Sequence, residues 1–527
     1  MVLKGGLNLR IRGFQLLYLL TATSLIYTIF NYCTYDDPYI TYRYAGNLAS
    51  GLGFVYNPGV RVLSTTTPLF TLLLASFAYL RADLPHLATL VGAISLAMGG
   101  LFLWDLAHSW KSPLVGWVGL TLYPTFPLLL NTLGSETPLY LALCIGAFAF
   151  YARRRYLLTA GLAALAALAR PDGLLVAVVL AADYILQRVA TQPPGRHSPI
   201  PWRAVILFLG ITLAWTIFAW VYFGSPLPVT LVAKQNQGAM SISQRFFPGF
   251  LTILSWYTSW PYKLEALLAT VGVIFMVWRV RSWMLFIAWS VLYFAAYSIL
   301  GVSRYFWYYA PLVPGFVVLV GLGLTVIGRQ LAVIRKLPQS TRPGSVNGDQ
   351  RSMNSDQVSD THCRWSSVLR LSAIRFLSTA FRFLATALLV LLALAQVQGL
   401  WLIRQRPDTR YAIYRAVGGW LEANTPSDAR VGALEVGIIG YYAQRPMVDF
   451  AGLIQPDVGA HLTTHTTYED AALWAVERYH PDYLVLPQSV LPRLEQAYAA
   501  KDCTPIKSFD GKAYGYSQNM VIYSCHL

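Results

Sequence analysis

RIRGFQLLYLLTATSLIYTIFNYCTYDDPYITYRY, residues 10–44, decides the fold. Its first half is an apolar run from Phe14 to Phe30 behind Lys4, Arg10 and Arg12, about the length that crosses a hydrocarbon core of ~30 Å. A signal peptide would end on small residues, whereas this run ends on Asn31-Tyr32-Cys33. It therefore reads as an uncleaved first span, and the positive flank places the N-terminus in the cytoplasm. The second half leaves the membrane on two adjacent carboxylates, Asp36 and Asp37, and opens an outer loop over 35–84.

Working outward, similar apolar segments recur at 85–103, 113–130, 138–152, 156–169, 173–187, 204–223, 262–278, 283–300, 308–328 and 378–403, about eleven spans counting the first. Lipid offers backbone amides no water, so these segments are predicted to be helices. The composition agrees: 56% of residues are hydrophobic and only 12% charged, against roughly a quarter charged in globular proteins. A net charge of +16 would suggest nucleic acid in a soluble chain. Here the basic residues clump beside the spans, where they set orientation and meet anionic lipid, so nucleic acid is excluded as a partner. Arg153-Arg154-Arg155, Arg188 with Arg196 and Arg203, Arg279 with Arg281, and Arg329 with Arg335 and Lys336 all fall on the predicted cytoplasmic side. The odd span count puts the C-terminus outside. The short pair within 156–187 reads either as two spans or as a re-entrant hairpin with Arg170-Pro171-Asp172-Gly173 at its tip.

The expected architecture is thus an all-α polytopic membrane protein with a soluble α/β domain at its C-terminal end. A transmembrane module over 1–336 is followed by a polar, flexible cytoplasmic linker over 337–376, a last span over 377–403 and an extracytoplasmic domain over 404–527. In that domain YAIYRAVGGWLEAN reads as an amphipathic helix, ARVGALEVGIIGYY as strand and helix, and PDYLVLP as a buried strand. The five cysteines have no metal-like spacing; Cys503 and Cys525 would be able to pair if their domain is extracytoplasmic.

The chemistry-bearing residues collect at the outer face. Pro38 suits a first helical turn and Asp37 the cap before it, which leaves Asp36 without a structural duty and free to act as a base. Arg43 would share a helix face with Ile40 and Asn47, near an acid or an anionic ligand. Glu136, in LGSETP, stands at the mouth of two spans, either as a functional carboxylate or as a residue favouring a helix start capped by Ser135. Arg170 and Asp172 read as an ion pair holding a helix break. Lys234 in an apolar run and Arg304 among aromatics are each ordinary interfacial anchors when alone, but together with Arg43 they supply cations for a phosphate. Two adjacent acids would also suit a divalent cation, although no oxygen cage around them is visible in the sequence, so the metal stays unknown.

The strings DDPYITYRYAGNLASGLGFVYNPG, TTTPLFTLLLA, LGSETPLYLAL, ALARPDGLL, GSPLPVTLVAKQ, YFWYYAP and VDFAGLIQPDVG, in this order, resemble the bacterial GT-C membrane glycosyltransferases, closest to the mycobacterial terminal arabinofuranosyltransferase group. The resemblance implies a cell-membrane enzyme of GT-C type with its active site outside. It takes a polyprenyl-phosphate sugar as donor and inverts the anomeric centre. Asp36 matches the usual candidate base, Asp37 its neighbour, and Glu136, Lys234 and Arg304 match recurring polar positions. The group usually has a Glu-Gly-Tyr-Thr-like string where this chain has Leu63-Ser64-Thr65-Thr66-Thr67, which implies a changed donor sugar or acceptor. The expected reaction moves a sugar, an arabinofuranose or a hexose, to an extracytoplasmic glycan, lipid or protein acceptor. The rival is a transporter or flippase of a lipid-linked glycan; such proteins bury polar residues at mid-membrane and show repeats, and this sequence does neither.

Overall fold

The computed structural model describes residues 2–31, 35–191, 200–333, 383–401, 404 and 408–526. The linker expected over 337–376, Cys33, Cys363, Arg196, Arg335 and Lys336 lie outside them. The bundle is built from α1 (Val2–Phe30), α2 (Asp37–Ala49), α3 (Pro68–Ala78), α4 (Leu84–Ser109), α5 (Pro113–Thr121), α6 (Pro127–Leu130), α7 (Thr137–Ala152), α8 (Tyr156–Ala169), α9 (Leu174–Thr191), α10 (Trp202–Phe223), α11 (Thr230–Ala239), α12 (Phe246–Leu254), α13 (Trp260–Arg279), α14 (Ser282–Leu300) and α15 (Val313–Val333). A further apolar helix, α16, covers Phe383–Trp401.

Among the described residues eight helices are long and apolar enough to cross a membrane: α1, α4, α9, α10, α13, α14, α15 and α16. The expected count was eleven; three of those segments form shorter helices, for two physical reasons. The segment read as one span over 113–130 breaks after the nine residues of α5, because Pro124 and Pro127 cannot continue a helix. The segments read at 138–152 and 156–169 form α7 and α8, with 16 and 14 residues, below the ~20 that a perpendicular crossing needs. Between α8 and α9 the chain turns through a 3₁₀ segment at Pro171–Gly173.

The bundle core is packed by close backbone approach as well as by side-chain volume. A Cβ on Gly272 of α13 would meet the carbonyl of Leu319 on α15, and one on Gly323 of α15 would meet the backbone of Leu268. Small residues at both crossing points let these helices touch, the device by which helices associate where no hydrophobic effect acts between them. A polar chain joins α13 to α16: the Glu265 carboxylate, fully buried, accepts from Gln396 Nε2 at 3.0 Å, and Gln396 Oε1 accepts from the Thr125 hydroxyl at 2.8 Å.

The C-terminal domain has α17 (Arg410–Asn424), α18 (Ile438–Ala443), α19 (Pro456–Ala460) and α20 (Tyr468–Tyr479) around a five-stranded sheet. Its strands are β1 (Val431–Ala433), β2 (Met447–Asp449), β3 (Tyr483–Pro487), β4 (Cys503–Phe509) and β5 (Met520–Cys525), in the order β2-β1-β3-β5-β4. The β2-β1-β3 part is parallel and the β3-β5-β4 part antiparallel. Cys503 and Cys525 sit opposite each other on the last pair and are joined as a disulfide. Cys144 is buried and free.

Candidate active site

Two cavities meet at the start of α2. The first, of about 380 Å³, lies among the ends of α2, α9, α11 and α14, and most of its wall is apolar, with Leu174, Leu175, Leu231 and Leu300 among the contributors. Its polar groups are Asp37, Glu136, Arg170, Asp172, Lys234 and the hydroxyl row Ser64–Thr67. The second, also of about 380 Å³, opens between the bundle and the C-terminal domain. Aromatic Trp256, Tyr305 and Tyr468 line it together with Arg304, Arg410 and Glu435. Four residues, Tyr35, Asp37, Trp307 and Leu453, line both cavities and form the neck between them.

The two adjacent acids both line the second cavity but have different partners. Helix α2 begins at Asp37, and Asp36, in the capping position, makes no side-chain cap bond to it. The Asp36 carboxylate instead accepts from the amides of Gly437 (2.8 Å) and Ile438 (2.7 Å) at the start of α18. It is buried, and only a glycine fits at 437, because a Cβ there would collide with Asp36 itself. Burial pushes the Asp36 carboxyl up, Glu435 nearby adds to this, and the two amides work against it. Asp36 thus has a structural duty. Asp37 faces the neck and pairs with Lys234 Nζ at 2.8 Å. Among the described residues no group of three or more His, Cys, Asp and Glu side chains is placed to hold a metal ion.

Lys234 comes from α11, whose Gln237 and Asn236 bind the C-terminal domain at the carbonyls of Ala451 and Gly459. Its ammonium lies over the rings of Tyr305 (4.9 Å), Trp307 (5.3 Å) and Tyr308 (5.5 Å). Burial opposes its charge, but Asp37 and Tyr308 outweigh this and hold it protonated above the usual lysine range. Arg170 does more than brace a helix break. Its Nε bonds both Asp172 oxygens at 3.1 and 3.3 Å, and its terminal nitrogens reach Glu136 Oε1 at 3.3 Å and the Tyr297 hydroxyl at 2.9 Å. Glu136 stands just before α7, lines the first cavity, and has its carboxyl pushed up by burial against the opposing pull of Arg170. Ser135 Oγ accepts from the Thr137 amide at 3.3 Å, so the helix-start role expected for Ser135 coexists with the cavity position of Glu136.

Arg43 and Arg304 do not join this group. Arg43 is buried and donates to the carbonyls of Tyr56 (3.0 Å), Gly440 (2.6 Å) and Arg445 (2.6 Å), so its guanidinium is spent on tying the outer loop to the C-terminal domain. Where a phosphate ligand was expected, the structure gives Arg43 three backbone carbonyls. Arg304 lines the second cavity and bonds Gln244 Oε1 at 3.0 Å, away from the wall of the first. The same seam carries Asn57, whose side chain donates to the Met447 carbonyl at 2.8 Å and accepts from the Met447 amide at 2.9 Å.

Sequence reasoning missed the neck. Tyr35 stacks on Trp307 with ring centres 4.9 Å apart. Leu453 is aimed by Asp449, which is fully buried and accepts from the amides of Ala451 (2.8 Å), Leu453 (2.5 Å) and Ile454 (2.9 Å). The signals were present in the strings TYDDP, SRYFWYY and VDFAGLIQ, but attention fell on their charges rather than on Tyr35, Trp307 and Leu453.

Comparison with known proteins adds to this geometry. Residues 402–523 match a family described as a domain of unknown function (DUF8728). Curated proteins give no sequence match. The whole chain is similar in structure to ArnT from Cupriavidus metallidurans bound to undecaprenyl phosphate, with a TM-score of 0.60 at 14% identity, over 97% of this chain and 98% of that one. It is also similar to the archaeal oligosaccharyltransferase AglB from Archaeoglobus fulgidus in complex with an inhibitory peptide and a dolichol-phosphate, with a TM-score of 0.52 at 13% identity, over 94% of this chain and 73% of that one. At such identities the likeness establishes a shared fold.

Proposed function

We propose that the chain is a membrane glycosyltransferase that moves a sugar from a polyprenyl-phosphate carrier to an acceptor, with its site and C-terminal domain on the extracytoplasmic face of the cell membrane. The observation that carries this reading is Asp37, a carboxylate paired with Lys234 at the neck joining an apolar-walled cavity to a polar, aromatic one. Two structures of the same fold hold, respectively, undecaprenyl phosphate and a dolichol-phosphate with a peptide, which supports a lipid-linked donor.

In this reading the first cavity takes the donor. Its apolar wall suits the isoprenoid, and Lys234 and Arg170 suit the phosphate. Thr41, Thr65, Thr67 and Thr71 join their hydroxyls at 3.0–3.5 Å beside it, a polar wall for a sugar ring. The acceptor enters the second cavity, where Tyr305 and Tyr468 offer ring faces and hydroxyls. At the neck its hydroxyl oxygen attacks the anomeric carbon while Asp37 takes the proton, a contribution of about 10² to 10⁴-fold. The bond from that carbon to the phosphate oxygen breaks with inversion, and the lipid phosphate leaves against Lys234 and Arg170, cations placed where charge develops. Asp36 serves as a positioning residue for the domain that closes the second cavity. An arabinofuranose or a hexose is the sugar class proposed, with a glycan, lipid or protein acceptor.

The test is transfer by the purified chain in detergent, with a panel of synthetic polyprenyl-phosphate sugars, with and without chelator. Product from one donor, formed by wild type and absent with Asp37→Asn, supports the reading. A wild type that binds lipid-linked glycan without turnover and moves it between vesicle leaflets overturns it in favour of a flippase.

A further inference from the structure

At the opposite ends of the same helices lies a third cavity, of about 510 Å³. Its floor is the α7–α8 turn, with Tyr151, Arg154 and Tyr156; one side is α9, with Asp183 and Gln187, and the other is the start of α14, from Arg281 to Ala288. Helix α14 separates it from the first cavity: its first two turns line the third, and its last turns, at Ala296, Tyr297 and Leu300, line the first. Along α14 the nearest residues lining the two cavities, Ala288 and Ala296, are about 12 Å apart.

Two cations and one acid face this space. Among the described residues neither Arg154 nor Arg281 lies within ion-pair distance of a carboxylate, whereas the neighbouring Arg153 is taken up by Asp105. Asp183 is engaged: its Oδ2 accepts from the Tyr151 hydroxyl and from Gln187 Nε2, both at 2.7 Å. The cavity is not only polar. Met284, Leu285 and Ala288 extend it about 9 Å along α14 into the apolar zone. Trp110, Tyr151 and Tyr156 stand around it, residue types that favour the level of lipid headgroups.

We infer that this cavity binds a phosphate group, held by Arg154 and Arg281, and that the apolar extension along α14 accommodates the chain of an anionic phospholipid. The inference is independent of the glycosyltransferase reading, since its test needs no turnover.

The experiment uses the full chain in nanodiscs of phosphatidylcholine containing a minor fraction of phosphatidylglycerol, with bound lipid counted by native mass spectrometry after release. Wild type should retain phosphatidylglycerol over phosphatidylcholine. The double variant Arg154→Gln/Arg281→Gln should lose that preference by on the order of tenfold, and Arg155→Gln, an adjacent arginine outside the cavity, should keep it. The single variant Arg281→Gln should fall between, which separates lost binding from lost folding. Inorganic phosphate at millimolar concentration tests the source: no displacement supports a lipid ligand, and full displacement assigns the same arginines to a free phosphate. Equal retention in wild type and double variant, or equal loss in Arg155→Gln, overturns the inference and leaves only a general attraction of basic loops for anionic lipid.

Discussion

The two faces of α2 deal with charge in opposite ways. On the side of Asp36 and Arg43, charges are met by backbone: amides of Gly437 and Ile438 on the acid, carbonyls of Tyr56, Gly440 and Arg445 on the base. On the side of Asp37, charges are met by other charges around open space, Lys234 on Asp37 and Arg170 on Glu136 and Asp172. Backbone partners are fixed by the fold and cannot be exchanged for a ligand. Side-chain partners across a cavity can be, because an incoming phosphate competes for the same cations. Adjacent residues of the same type thus differ in their partners, and the proposed reading gives Asp36 the structural role and Asp37 the chemical one.

The sharpest way to break this division is to neutralise each acid in turn. Asp37→Asn should lower kcat by about 10² to 10⁴-fold with an unchanged melting temperature, read by transfer assay and thermal unfolding. Loss of fold in that variant would put Asp37 on the structural side. Asp36→Ala should do the reverse in kind: two buried amides lose their acceptor, at about 1–3 kcal/mol each, so stability falls while the donor still binds. An Asp36→Ala protein of full stability and no activity would return the base role to Asp36.

Smaller effects sharpen the contrast. Lys234→Ala should cost about 10 to 100-fold in kcat/KM for the donor, the scale of one lost charge-assisted contact, and Lys234→Arg should restore part of it. Leu453→Trp, by narrowing the neck, should raise the acceptor KM severalfold and leave donor affinity unchanged; equal losses for both substrates would mean that the neck is not the boundary between them.

A further effect concerns pH. Burial pushes the Asp449 carboxyl up to about 6, against the pull of three amides. Between the unfolded value of about 3.9 and about 6 the folded chain keeps a proton that the unfolded chain has released. Stability from this group is therefore present at low pH, falls as pH rises through that window and is flat above it. Melts of wild type against Asp449→Asn should show the wild type losing ground across this range; a constant difference would leave the carboxyl ionised throughout.

Much of the bundle was legible because hydropathy and length report directly on lipid contact. The count of eleven is not confirmed, because Pro124 and Pro127 split an apolar run whose average hydropathy gives no warning. The helix at Arg410–Asn424 and the strand at Tyr483–Pro487 follow local periodicity, and both stand where that pattern places them. The site was legible as a set of residues but not as a set of roles. Cap preference is local, and it made Asp37 the structural acid; the amides that claim Asp36 lie about 400 positions away in sequence. Arg43 shows both sides of this. Asn47 joins it on the Tyr56 carbonyl, as the shared face implies, and the partners the structure gives Arg43 on that face are backbone carbonyls, which no local pattern foretells.

Contacts between residues up to 333 and residues from 383 on bind the two parts to each other through side chains and backbone alone. Gln396 on α16 finds Glu265, Asn57 finds Met447 at both its backbone atoms, and Asp36 and Arg43 find the turn of α18, all between a piece ending at 333 and a piece beginning at 383. Recognition of this kind is a code carried by surfaces and not by the peptide linking them. Two fragments made separately in one cell should therefore assemble by complementation, and a protein so assembled would let each half be labelled or randomised on its own.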